Sequence, residues 1–162
     1  MDNVSQPPES KEGVANAGWL RPPFVFLLAI LAGVVLDRGW PISLPATPGR
    51  LVVGAACMVA AALLFTLTRR AMAKAGTPVP GNKPTVAIVH SGPFRYSRNP
   101  IYLAFVLLHL GFALAYNSAW LLVTLVPAVL VIRVVIRREE RYLEERFGDA
   151  YLAYKATVRR WI

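Results

Sequence analysis

Val86 to Tyr102 reads VAIVHSGPFRYSRNPIY and holds a Gly-Pro turn, two arginines, three aromatic rings and an Asn-Pro helix start. Asn99 is a good N-cap, and Pro100 falls in the first helical turn, where proline is best tolerated. The apolar run from Ile101 to Ala115 follows at once. The free N–H groups and positive dipole end of that helix then lie at a membrane surface beside Arg95 and Arg98, a place where an anionic group can be held. A ligand is expected here, and everything outward from the stretch bears on whether a membrane surrounds it.

The chain has 162 residues, 56% of them hydrophobic, and charged residues are almost missing from four long stretches. Its mean hydropathy is +0.46. The net charge of +9 would raise nucleic acid as a partner in a soluble protein, but these lysines and arginines flank apolar runs, where membrane topology accounts for them. No nucleic-acid partner is expected. Cys57, the only cysteine, lies inside an apolar run and reads as a small hydrophobe, so no cysteine-built metal site is expected.

Residues 1–18 are polar, rich in Pro, Ser, Gly and Asn, and read as a disordered tail ahead of one domain spanning 19–162. They contain Asp2, Glu9 and Glu12 and lack the basic start of a signal peptide, so the first apolar segment is expected to stay in the membrane. Four spans are expected, near 19–36, 51–68, 101–116 and 119–136. The first is broken near its start by Pro22 and Pro23, ended by Asp37-Arg38-Gly39, and bracketed by Trp19 and Trp40 as interfacial anchors. The second is closed by Arg69-Arg70. The loop 71–84, with Gly76, Pro78, Pro80, Gly81 and Pro84, should be irregular, and Thr85 to Val89 extended. Asn117-Ser118 permits only a tight helical hairpin, and Pro127 should kink the fourth span or free a carbonyl.

Four spans place both termini on one side. Sixteen of the 18 basic residues, among them Lys11 and Lys83, fall on that side, against Arg38 and Arg50 on the other. The positive-inside rule then makes the motif, the long loop and both termini cytoplasmic. The fold expected is an all-α polytopic membrane bundle with cytoplasmic C-terminal helices.

Beyond the fourth span, Arg137 to Phe147 continues as a helix stopped by Gly148. At 3.6 residues per turn Ile132, Ile136, Leu143 and Phe147 form one stripe, with Glu139 and Glu140 on or beside it, while Glu144 and Glu145 point elsewhere, within reach of Arg141. A carboxylate on an apolar face needs a cationic partner. A salt bridge from Glu139 or Glu140 to Arg95, Arg98 or Arg137 is one reading; an ammonium or sulfonium ligand is the other. A site with anion donors on one wall and a carboxylate on the other suits a zwitterion.

Gly92-Pro93-Phe94-Arg95-Tyr96-Ser97-Arg98-Asn99-Pro100-Ile101-Tyr102, followed by Glu139-Glu140 and Phe147-Gly148-Asp149-Ala150-Tyr151-Leu152-Ala153-Tyr154, resembles the isoprenylcysteine carboxyl methyltransferase and phospholipid methyltransferase superfamily. The resemblance covers Val86 to the C-terminus. It implies an integral membrane enzyme using S-adenosylmethionine, with cofactor regions at 86–102 and 137–160. By the same resemblance Ile88 and Val89 line the cofactor site, Phe94 is its aromatic contact, Asn99-Pro100-Ile101-Tyr102 matches the His-Pro-x-Tyr segment, and Glu139 matches the acid that binds the methionyl end. Asn99 replaces the family's histidine and supplies no imidazole. The arginine that contacts the acceptor in the prenylcysteine branch is Val135 here, with Arg133 and Arg137 nearby and Arg137 taken as the candidate substrate contact.

Methyl transfer from a sulfonium needs alignment more than acid catalysis. No residue stands out as a base: His109, inside the third span, reads as a hydrogen-bonded core histidine, and His90, though better placed, as structural. The acceptor is expected to enter from the bilayer as a lipid, an isoprenoid or a small apolar thiol. Tyr151, Tyr154 and Trp161 read as interfacial anchors, with lining of the acceptor's entry as the second reading. Two rival functions are a sterol-reductase-type enzyme holding NADPH with Arg95 and Arg98, and a non-catalytic module touching anionic lipid.

Overall fold

The computed structural model describes residues 21–77 and 85–162. The tail 1–18, the anchor Trp19, Lys11 and Lys83, and the loop residues Pro78, Pro80, Gly81 and Pro84 lie outside the described residues. Five α-helices follow in order: α1 (Pro22–Gly39), α2 (Arg50–Lys74), α3 (Pro100–Tyr116), α4 (Ala119–Phe147) and α5 (Asp149–Thr157), with one 3-10 turn at Gly92–Arg95 between α2 and α3. Among the described residues there is no strand, and Thr85 to Val89 is irregular.

The helix ends differ from the expected spans in instructive ways. Pro22 and Pro23 do not break α1; they open it, since the first turn needs no N–H from them. Asp37 stays in the last turn, where it accepts a hydrogen bond from the Ser118 hydroxyl at 2.7 Å. Arg69-Arg70 do not close α2. It continues to Lys74 because Ala71 and Met72 bury themselves against Val89, with Phe94 and Ile101 packed around them. α4 runs unbroken through Pro127. Asn117 turns the α3–α4 corner in the left-handed region at φ 63°.

The helices pair antiparallel. Along α2 and α3, Gly54 meets Gly111 and Ala115, the rings of Phe65 and Phe105 lie 5.9 Å apart, and Met72 and Ile101 belong to one apolar cluster. The backbones approach closely enough that a Cβ on Gly111 would lie 2.7 Å from the Gly54 carbonyl oxygen. Small residues are what permit such contact between helices in a membrane. Along α1 and α4 the sequence of contacts runs from Phe26 with Ala128 and Ile132, through Gly33 with Leu121 and Thr124, to Asp37 with Ser118.

α1, α2 and α4 are long and apolar enough to cross a membrane; α3, with 17 residues, is shorter. The chain nevertheless returns from the near end of α2 to the far end of α4 along α3 alone. The outer faces are apolar, with Leu28, Val35, Val52, Val59, Leu63 and Val126 among the exposed side chains. This is an integral membrane helix bundle. Phe26 ties α1 to α3, stacking on Phe105 at 5.6 Å and meeting His109 edge-on at 6.2 Å. His109 is fully buried, its Nε2 donating to the Leu121 carbonyl at 2.9 Å, as a core histidine should.

Candidate functional site

At the end of the bundle where α3 starts, a cavity of about 200 Å³ opens between the helix ends, the 85–99 segment and α5. Gly92, at φ 60°, makes the turn that swings Phe94 toward it. Ile88, Val89, Phe94, Asn99, Pro100, Ile101 and Tyr102 of the motif, and Glu139 of α4, all line this one cavity. Most of the remaining wall is apolar, supplied by Pro22 and Pro23 of α1, Phe65 and Met72 of α2, Phe105 of α3 and Leu143 of α4.

Two of the acids of α4, Glu139 and Glu140, are buried, and they play different parts. The Tyr102 hydroxyl donates to Glu139 Oε1 at 2.6 Å, a short charge-assisted bond that fixes both side chains in the cavity wall. Glu140 is clamped by two guanidinium groups. Arg98 Nη2 lies 3.1 Å from its Oε1, and Arg160 donates Nε to Oε1 at 3.0 Å and Nη2 to Oε2 at 2.6 Å. The salt-bridge reading therefore holds for Glu140, with Arg98 as the expected partner and Arg160 as one the sequence did not signal. The carboxylate in turn raises the Arg160 pKa, mainly through that hydrogen bond.

Several expectations are corrected. Asn99 occupies the N-cap position of α3, yet its side chain does not cap. Its Nδ2 donates instead to the Arg160 carbonyl at 2.9 Å, because residues 159–160 run alongside: the Arg98 N–H reaches the Arg159 carbonyl at 3.0 Å, and the Ser97 hydroxyl that of Arg160 at 3.4 Å. The paired arginines do not form an anion site, since Arg98 is committed to Glu140 and Arg95 is exposed away from the cavity. Arg137 is exposed and is not among the residues lining this cavity, lying two residues, or about 200°, around the helix from Glu139. Glu144 pairs with Lys155 rather than Arg141, because Gly148, at φ 52°, folds α5 back beside α4.

Tyr151 and Tyr154 are not interfacial anchors. Both are buried and line the cavity, and the Tyr154 hydroxyl donates to the Phe94 carbonyl at 2.8 Å, holding the turn in place. Burial pushes the Tyr154 phenol up to about 12, against a lowering by Arg98. Burial raises Tyr151 further, and the Glu140 charge adds to it. Trp161 packs against the core cluster of Phe26, Tyr102, Ala128, Ile132 and Ile136. His90 is exposed, edge-on to Tyr154 at 4.8 Å. Thr77 was also unsignalled: its hydroxyl donates to the Ala87 carbonyl at 3.1 Å and accepts from the Ala87 N–H at 3.0 Å, tying the end of α2 to the segment that leads into the cavity motif.

An uncharacterized protein of Haemophilus influenzae is 40% identical to this chain over 63 residues, which is 38% of this chain and all of that one. No solved structure matches the chain. Residues 49–150 match the phospholipid methyltransferase family, a match that takes in α2, α3, α4 and the described parts of the cavity motif between them. More than half of the sequence lies within it, with Phe94, Asn99, Tyr102 and Glu139 all inside, and the chain therefore belongs to the phospholipid methyltransferase family.

Proposed function

We propose that the cavity binds S-adenosylmethionine and that the protein methylates a lipid, isoprenoid or other small apolar acceptor at the cytoplasmic face of a bacterial-type cytoplasmic membrane. One observation carries the reading: the residues implied by resemblance for the cofactor, scattered from Ile88 to Glu139, converge on one cavity. The donor set fits the compound. A buried carboxylate, Glu139, suits an ammonium or a sulfonium; Phe94 and the apolar wall suit an adenine; and the clamp around Glu140 keeps a second acid from competing.

S-adenosylmethionine held by Glu139 and Phe94 would supply an activated methyl group, with the neutral thioether as the leaving group. The chain's own residues orient and exclude water. Tyr102 holds Glu139 in one rotamer through a 2.6 Å bond, and Tyr154 holds the Phe94 carbonyl, so the wall is set before ligand arrives. Among the described lining residues there is no imidazole, amine or thiol, so the groups on the wall able to take a proton are carboxylates and phenols, Glu139 foremost. The wall supplied by Pro22, Pro23, Phe65, Met72 and Phe105 is apolar, which favours an apolar acceptor.

The NADPH reading loses its support, because the arginines it needs for phosphate are an exposed Arg95 and an Arg98 held by Glu140. The test is calorimetric titration of the purified protein in detergent with S-adenosylmethionine and, separately, NADPH. Saturable binding of the first, weakened by Glu139→Gln, is expected. Binding of NADPH instead, or of neither, would overturn the proposal.

A further inference from the structure

Helix α4 sorts its charges by face. Three of its four acids turn inward or to α5, Glu139 to Tyr102, Glu140 to Arg98 and Arg160, and Glu144 to Lys155, while Glu145 is exposed. Its arginines turn outward. Arg133, Arg137 and Arg141 recur at four-residue intervals and are all exposed, and among the described residues none of them forms an ion pair. Glu145, one turn beyond Arg141, makes no ion pair with it.

The same outer stripe continues toward the other end of α4 as Val123, Val126, Leu130 and Val134, exposed by 54%, 59%, 54% and 47%. At 100° per residue these three valines, the leucine and the three arginines share an arc of about 100°. An apolar track thus runs straight into a ladder of guanidinium groups about 12 Å long. Acyl chains match the track. Phosphate oxygens at the end of those chains match the ladder, since guanidinium pairs with phosphate bidentately.

The geometry points to a binding site for an anionic phospholipid on the outer face of α4, with its phosphate and headgroup on Arg133, Arg137 and Arg141 and its chains along Val126 and Leu130. The site is independent of the cavity, for none of these side chains lines it. General topology asks only that basic residues stay on one side of the membrane. It does not ask that they stand in register with a lipid-facing stripe while Glu139, Glu140 and Glu144 are occupied elsewhere, and that register is what makes a single lipid, and not merely a charged surface, the fitting occupant.

The experiment is native mass spectrometry of the detergent-purified chain incubated with equal amounts of dioleoyl phosphatidylglycerol and dioleoyl phosphatidylcholine. Bound phosphatidylglycerol should exceed phosphatidylcholine at least fivefold. The triple variant Arg133→Gln, Arg137→Gln, Arg141→Gln should bring the ratio to within twofold of unity, while Arg69→Gln with Arg70→Gln, on α2, leaves it high. Equal retention by the unaltered chain, a preference that survives the triple variant, or one lost with the α2 pair alone would each overturn the site. Should the triple variant not yield folded protein, Arg137→Gln alone decides, with at least a twofold fall in the ratio expected and an unchanged ratio counting against the proposal.

Discussion

Glu139 and Tyr102 meet through a 2.6 Å bond that neither residue's neighbours in sequence supply. Removing the charge with Glu139→Gln should weaken S-adenosylmethionine binding by about tenfold or more, the scale of one charge-assisted hydrogen bond, whereas Tyr102→Phe, which keeps the carboxylate, should cost several-fold; calorimetric titration distinguishes the two. Arg160→Ala leaves Glu140 with Arg98 alone. Because the Arg160 side chain is 39% exposed, solvent screens part of the loss, and a destabilisation of about 1–2 kcal/mol is expected in thermal unfolding. The buried phenols give the stability a defined pH edge. Tyr154, with its pKa pushed up to about 12, stays protonated in the folded chain while the unfolded chain loses the same proton near the ordinary tyrosine value of about 10. The unfolded state then holds fewer protons, so stability falls as pH rises from about 10 to 12 and is untouched below. Tyr151 adds to the same slope, and Tyr154→Phe should flatten it in a series of melting temperatures against pH.

At the scale of elements, the α2–α3 pair depends on two glycines. A Cβ on Gly111 would meet Gly54 oxygen at 2.7 Å and Met58 nitrogen at 3.0 Å, backbone atoms that cannot step aside. Gly111→Ala should therefore destabilise the bundle by about 1–3 kcal/mol in a thermal melt, and Gly54→Ala by a similar amount. Those glycines were silent in the sequence, because closeness between backbones is a property of two helices and hydropathy reads one. The spans themselves were legible from apolar length. Their ends were not: Met72 keeps α2 helical past Arg69-Arg70 only because Val89, seventeen residues on, covers it. The inward turn of Glu139 and Glu140 followed from the period of 3.6, while the partners of Glu140 and Asn99 did not. Arg160 lies 20 residues from Glu140 and 61 from Asn99, and nothing in local spacing points across such gaps.

For the whole molecule, the antiparallel order places the cavity, α5 and the arginine ladder at one end, with Trp40, Trp120 and the 41–49 connection at the other. The positive-inside assignment then predicts labelling from opposite sides. In a Cys57→Ala background, Asp149→Cys should react with an impermeant maleimide only after the cytoplasmic side is opened, and Thr47→Cys in intact cells; the reverse pattern would invert the orientation. α3, of 17 residues, spans only about 26 Å, against about 37 Å for the 25 residues of α2. The helix whose first turn forms the cavity wall is thus shorter than the roughly 30 Å of a hydrocarbon core, and α4, which meets its start at Ile132 and Ile136, runs on past it to Phe147. The mouth of the cavity then sits at a depth fixed by the bundle, while the headgroup plane sits at a depth fixed by the acyl chains. Bilayer thickness becomes a ruler: shorter-chain lipids bring polar headgroups level with Tyr102 and Glu139, and longer chains present hydrocarbon to the same opening.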